Sequence, residues 1–174
     1  MKYIMRAGAL YNQNDMLAQI KGVLVGPEKR IFSADGTLLL QTNIRNLNDP
    51  MSKSGNVRFR QYVLTDIEGT ECAVAKPDYA KDDDPEAVGW PVCRMPKVDH
   101  AQIQMRDNTY FLTMRNDQNY LLENAIGENV VQIFHRGLMG GWDIEANDDF
   151  SPEIICGIFV FCKYMEQENE FLVV

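Results

Sequence analysis

Near its carboxyl end the chain reads FSPEIICGIFVFCKYM, residues 150–165. From Ile154 to Cys162 nine consecutive residues are apolar, counting Gly157, and none carries a charge. A helix apolar on every side must be buried all round or lie in a membrane. A membrane span needs about 20 apolar residues, so this run is too short to cross, and the protein itself must enclose it. The run opens with helix-start signals. Ser151 suits the N-cap, Pro152 the first helical position, and Glu153 the positive end of the helix dipole. Ile, Val and Phe also suit a buried strand. The start signals favour a helix over 152–165, closed by the polar residues from Glu166 to Glu170, with Phe171–Val174 as a terminal strand.

The material that surrounds this helix is a series of strands and tight turns. In KRIFSADGTLLLQTNI, Asp35-Gly36 separates two β-prone runs, and Asp-Gly marks a hairpin because a tight turn needs positive φ. RFRQYVLTDIEGTECAVAK repeats the plan, with Asp66 to Gly69 as the turn. In HAQIQMRDNTYFLTMRNDQNYLLEN the turns fall at Asp107-Asn108 and Asn116-Asp117. NVVQIFHR is a further strand entered through Gly127, GLMGG a loop, and WDIEA a short strand. The spacing is too irregular for a solenoid or propeller and suits a closed antiparallel sheet. Residues 77–99 break the rhythm. Their prolines deny ladder hydrogen bonds, and Asp82–Asp84 adds an acidic run, so they read as an excursion loop. The expectation is one domain over residues 1–174, mainly β: a closed antiparallel β-barrel of about 12 strands around a buried hydrophobic C-terminal helix.

On IFSADGTLLLQTNI, on its second copy VLTDIEGTECAVAK and on FSPEIICGIFVFCKYM followed by a last strand, the chain resembles the tubby C-terminal-domain-like superfamily. That superfamily includes tubby-like proteins, LURP-one-related proteins and phospholipid scramblases. The resemblance runs over nearly the whole chain. It implies a 12-stranded barrel around a central hydrophobic helix, in agreement with the burial argument. The roles it brings are diverse: phosphoinositide binding, lipid movement and defence-linked functions. No residue of this chain matches the tubby phosphoinositide signature, and no Cys-rich acylated segment is present.

Charge and side-chain chemistry narrow the function. The net charge of −8 disfavours nucleic acid, whose affinity comes from Lys and Arg facing phosphates. No apolar signal segment opens the chain, and the expected compartment is the cytoplasm. Cys72, Cys93, Cys156 and Cys162 form no CxxC pair, and the carboxylates Asp82–Asp84 with Glu86 lack the alternation and glycine of a calcium loop. No metal and no cofactor are expected. His100 and His135 lie in no nucleophile motif, and no catalytic residue is assigned. Trp142 reads as the start of a strand packed into the barrel, against an alternative in which Leu138, Met139 and Trp142 form an exposed docking loop. Lys53, Arg58 and Arg60 are the ligand-binding candidates, through a phosphate or anionic lipid head group. The function expected is that of a non-catalytic binding module for anionic lipid or a protein partner. An enzyme with an unrecognised site and a scaffold without a small ligand are the alternatives.

Overall fold

The computed structural model describes residues 1–47, 59–79, 98–116 and 118–170. Twelve strands form a closed antiparallel barrel in which each strand pairs with its sequence neighbours. They are β1 (Lys2–Arg6), β2 (Ala9–Asn12), β3 (Asp15–Gly22), β4 (Lys29–Ser33), β5 (Leu38–Leu47) and β6 (Phe59–Asp66), followed by β7 (Glu71–Tyr79), β8 (Val98–Met105), β9 (Asn108–Asn116), β10 (Asn119–Asn124), β11 (Asn129–His135) and β12 (Trp142–Ala146). The ring closes where β1 meets β12, with Tyr3 opposite Ile144 and Met5 opposite Trp142. Closure leaves no unpaired edge to recruit other strands.

Period-2 patterning decides which side chains enter. On β8, Val98, Ala101, Ile103 and Met105 are buried while His100, Gln102 and Gln104 are exposed. On this strand the outer face is thus polar and the inner face apolar, the reverse of a lipid-facing strand. The interior is filled by α1, Pro152–Glu170, whose residues Ile155 to Cys162 are all buried. Room for it comes from small wall residues: Ala18, Ala73, Ala75 and Ala101 all face the core. Gly157 lies against the wall, and a Cβ built there would lie 2.7 Å from Leu64 Cδ2. The nine-residue apolar run is therefore apolar on all sides because strands lie on all sides.

The same five-residue turn recurs three times. Ser33, Asp66 and Asn124 each receive the N–H of the glycine three residues on, at 3.1, 3.2 and 3.0 Å. Gly36, Gly69 and Gly127 hold φ of 88°, 86° and 80°, which only glycine adopts cheaply. In all three copies a side-chain oxygen at the first position also binds the backbone: Ser33 Oγ accepts from Thr37, Asp66 Oδ1 from Glu68 and Thr70, and Asn124 Oδ1 from Ile126 and Glu128.

Several boundaries differ from the expectation. The helix runs five residues past 165, because Glu and Gln are competent helix formers and Glu166, Glu168 and Asn169 find polar partners. The excursion is shorter than 77–99. Pro77 to Tyr79 complete β7, and Val98 and Asp99 open β8, with Pro77 opposite Ala101. The described pairing of β7 with β6 stops at Ala75, so the missing N–H of Pro77 faces no ladder there. The turn between β8 and β9 lies at Arg106-Asp107, one residue earlier than expected, since Asn108 already pairs with Met105. The acidic run 82–86, Cys93 and the terminal 171–174 lie outside the described residues.

Candidate functional site

Strict alternation of strand direction gives the barrel two unlike ends. At one end lie the short turns 13–14, 34–37, 67–70, 106–107 and 125–128, together with the start of α1. At the other lie the loops 23–28 and 136–141, the β1–β2 turn at Ala7-Gly8, and the end of α1. The first is here called the turn end and the second the loop end.

At the loop end the last two turns of α1 carry Glu166 and Glu168 and no basic residue in the final turn. Carboxylates there oppose the helix dipole, so their compensation comes from neighbours. Arg60 Nη1 donates to Glu168 Oε1 at 2.9 Å, and the Glu168 side chain is only 4% exposed. Lys163 Nζ binds both oxygens of Glu166 at 2.8 Å, and Tyr120 Oη donates to the same carboxylate at 2.5 Å. Lys163 also stands over the Trp142 ring, 3.9 Å from its centroid. Asn169 binds both the N–H and the C=O of Val98 at 2.9 Å. Tyr164 Oη reaches Pro27 O at 2.6 Å and Thr42 Oγ1 at 2.8 Å, and burial pushes its pKa up to about 12.

These contacts place the residues singled out from sequence. Arg60 is only partly exposed, its side chain at 29%. It has the parity of the inward Tyr62 and Leu64, and its guanidinium meets Glu168 in the barrel mouth. Lys53 and Arg58 lie outside the described residues. His100 is exposed beside Asp99, Nδ1 to Oδ1 2.7 Å, at an open groove of about 400 Å³ on the outer wall with Lys76, Asp78, Gln102 and Phe111. His135 is elsewhere: it lies edge-on to Trp142 and its Nδ1 accepts the Gly137 N–H at 3.1 Å. The two histidines do not share a site. Trp142 opens β12 and packs on Phe159, ring centroids 5.0 Å apart. Cys156 and Cys162 are buried in the core, where desolvation holds the first thiol up at about 12 and the second well above its usual value. Among the described residues no three His, Cys, Asp or Glu side chains gather as a metal site. No helix among them is long and apolar enough to cross a membrane.

The feature that sequence reasoning missed is a basic rim at the loop end. Lys21 and Arg30 are register partners at the ends of β3 and β4, next to Lys29. Arg6 ends β1, and the neighbouring β1–β2 turn is tied to β3 by the Ile20 N–H donating to Gly8 O at 2.7 Å. On the other side of Arg6 the 136–141 loop presses so close that a Cβ at Gly141 would fall 2.5 Å from Met5 O. Arg30 is paired with Glu28 and Arg136 with Asp143. Arg6, Lys21 and Lys29 have no carboxylate partner among the described residues. Beyond this rim Leu24 is 106% and Val25 87% exposed in one loop, and Leu138 109% and Met139 72% in the other. No sequence signal marks the cluster, since its members come from three strands and the 136–141 loop.

The chain matches no family model, no curated protein and no solved structure.

Proposed function

We propose that this chain is a non-catalytic binding module that docks by its loop end on an anionic lipid surface, in keeping with the resemblance to the tubby C-terminal-domain-like superfamily. The observation that carries this reading is the cluster of Arg6, Lys21 and Lys29, three cations on one rim with no acidic partner among the described residues, in a chain whose net charge is −8. The barrel interior is occupied by α1, so a ligand is met on the outside. Charge segregated in this way orients an acidic protein towards an anionic surface. Each basic residue near such a surface contributes about 1 kcal/mol, so three contribute roughly 3 kcal/mol, more than a hundredfold in partition. The cytoplasmic leaflet is the anionic surface such a module would meet.

Co-sedimentation with vesicles tests it. The full chain should pellet with vesicles containing phosphatidylserine or phosphoinositide and not with pure phosphatidylcholine. Binding should weaken as salt rises, since the rim charges are exposed. The combined variant Arg6→Ser, Lys21→Gln, Lys29→Gln should lose most of it, while Lys76→Gln on the outer wall should not. Equal pelleting of this variant and the parent, or no pelleting of the parent, overturns the reading.

A further inference from the structure

We infer that the two apolar loop tips, Leu24-Val25 and Leu138-Met139, enter the hydrocarbon boundary of the membrane that the basic rim meets. The inference rests on the docking reading above and adds how deep and in which orientation the barrel sits.

Single exposed apolar residues are ordinary on any protein surface. Adjacent pairs at the tips of two described loops of one end, each residue at least 72% exposed, are a different arrangement. Among the described residues the turn end offers only isolated residues, Met1 at 57%, Ile67 at 65% and Ile126 at 79% exposure. Leu24 and Leu138, at 106% and 109%, gain nothing from the fold that displays them.

The layout selects the partner. A protein-binding hot spot sets apolar anchors at the centre and a polar ring round them. Here the order round the loop end is Leu138-Met139, Arg6, Lys21, Leu24-Val25, Lys29, so cations and apolar tips alternate and no single apolar centre forms. A lipid surface accepts that alternation, because head groups meet the cations while separate apolar tips each reach acyl chains. Burying tips of this kind strengthens membrane association in proportion to the apolar area removed from water.

Monolayer and vesicle measurements together decide it. Injected beneath a phosphatidylserine-containing monolayer at constant area, the full chain should raise surface pressure, which adsorption to head groups alone does not do. The variant Leu24→Ser, Val25→Ser, Leu138→Ser, Met139→Ser should abolish that rise. It should also bind vesicles at least tenfold more weakly and lose the salt-resistant part of binding. Its denaturation midpoint should equal the parent's, which shows that the fold is intact. The control Ile67→Ser, Ile126→Ser at the turn end should behave as the parent. If the parent pellets with anionic vesicles but raises no pressure, insertion is overturned and docking stands. If the parent pellets with none, both readings fall, and a protein partner is the remaining occupant. A pressure rise lost in the turn-end control but kept in the tip variant overturns the assignment of the inserting end.

Discussion

From Ile155 to Cys162 the central helix meets the barrel wall with apolar side chains; from Lys163 to Asn169 it meets the wall chiefly with hydrogen bonds and ion pairs. The first half lies towards the turn end, where short connections seal the barrel and Gly157 comes against Leu64. The second half lies towards the loop end, where Arg60, Tyr120, Thr42, Pro27 and Val98 each supply a polar contact. Both halves fill the same barrel, yet they are sensitive to different changes. The packed half responds to volume, because interiors leave no void to absorb extra atoms. The bonded half responds to the loss of a partner, because a buried carboxylate without its cation is costly. Stability should therefore be concentrated in the packed half, leaving the loop end free to carry the binding surface.

The largest effect that would break this contrast is at Gly157. Glycine inside a helix costs about 1 kcal/mol against alanine, so on an exposed helix replacing it would help. Here Gly157→Leu should destabilise by about 3 kcal/mol, because its Cβ alone would stand 2.7 Å from Leu64 Cδ2 and Leu64 is itself buried. The denaturant midpoint reads this directly, and a variant as stable as the parent would show that the wall yields at that point.

In the bonded half, Arg60→Ala should cost about 2 kcal/mol, since it strips the guanidinium from a Glu168 side chain that is 4% exposed. The double variant Arg60→Met, Glu168→Leu should recover much of that loss, as apolar replacement of a buried pair often does. Failure of the double variant to recover would mean that the pair also fixes the helix end in place. Thermal unfolding of the parent, the single and the double variant separates these outcomes.

Much of the turn end was legible in the sequence. Gly36, Gly69 and Gly127 occupy positive φ with Asp, Glu or Ile before them, and these turns announced their hairpins. The first three strands were not legible. Their turns place Ala7 and Gln13 at φ of 49° and 56°, residue types that carry no turn signal. Arg106 at 54° hid the β8–β9 turn in the same way and displaced it by one residue. The apolar half of α1 was readable from one local run. The bonded half was not, because the partners of Glu168 and Asn169 lie 108 and 71 residues away. The basic rim is hidden because Arg6, Lys21 and Lys29 share one end only once β1 to β4 pair in register.

A smaller change should sharpen the picture of the turn end. The backbone N–H of Thr70, and after it that of Glu68, holds the Asp66 carboxyl below its usual 3.8. A carboxylate depressed in the folded state stabilises the fold above its unfolded value and loses that contribution as pH falls through the folded value. Asp66→Asn should therefore lower the midpoint modestly at neutral pH, and the gap to the parent should close as the pH drops below about 4. Asp35, held down first by the Ser33 hydroxyl and then by the Thr37 N–H, should behave alike. A gap between Asp66→Asn and the parent that persists at pH 2 would show that the turn needs the shape of the aspartate and not its charge.

The smallest effect on stability belongs to the tips. Leu138 is 109% exposed in its loop and Ile67 65% exposed in a tight turn. Neither rests against the core, so Leu138→Ser and Ile67→Ser should each stay within about 0.5 kcal/mol of the parent. On stability the two ends should thus be indistinguishable by this probe, although their architecture is unlike. Vesicle binding should separate them, with Leu138→Ser weaker and Ile67→Ser unchanged. The measurement pairs a denaturation curve with a sedimentation assay on the same two proteins. A loss of stability in Leu138→Ser would mean that the 136–141 loop braces the barrel, for instance by holding Gly141 against Met5. The apolar tip would then belong to the fold, and the division of labour between the two ends would fail.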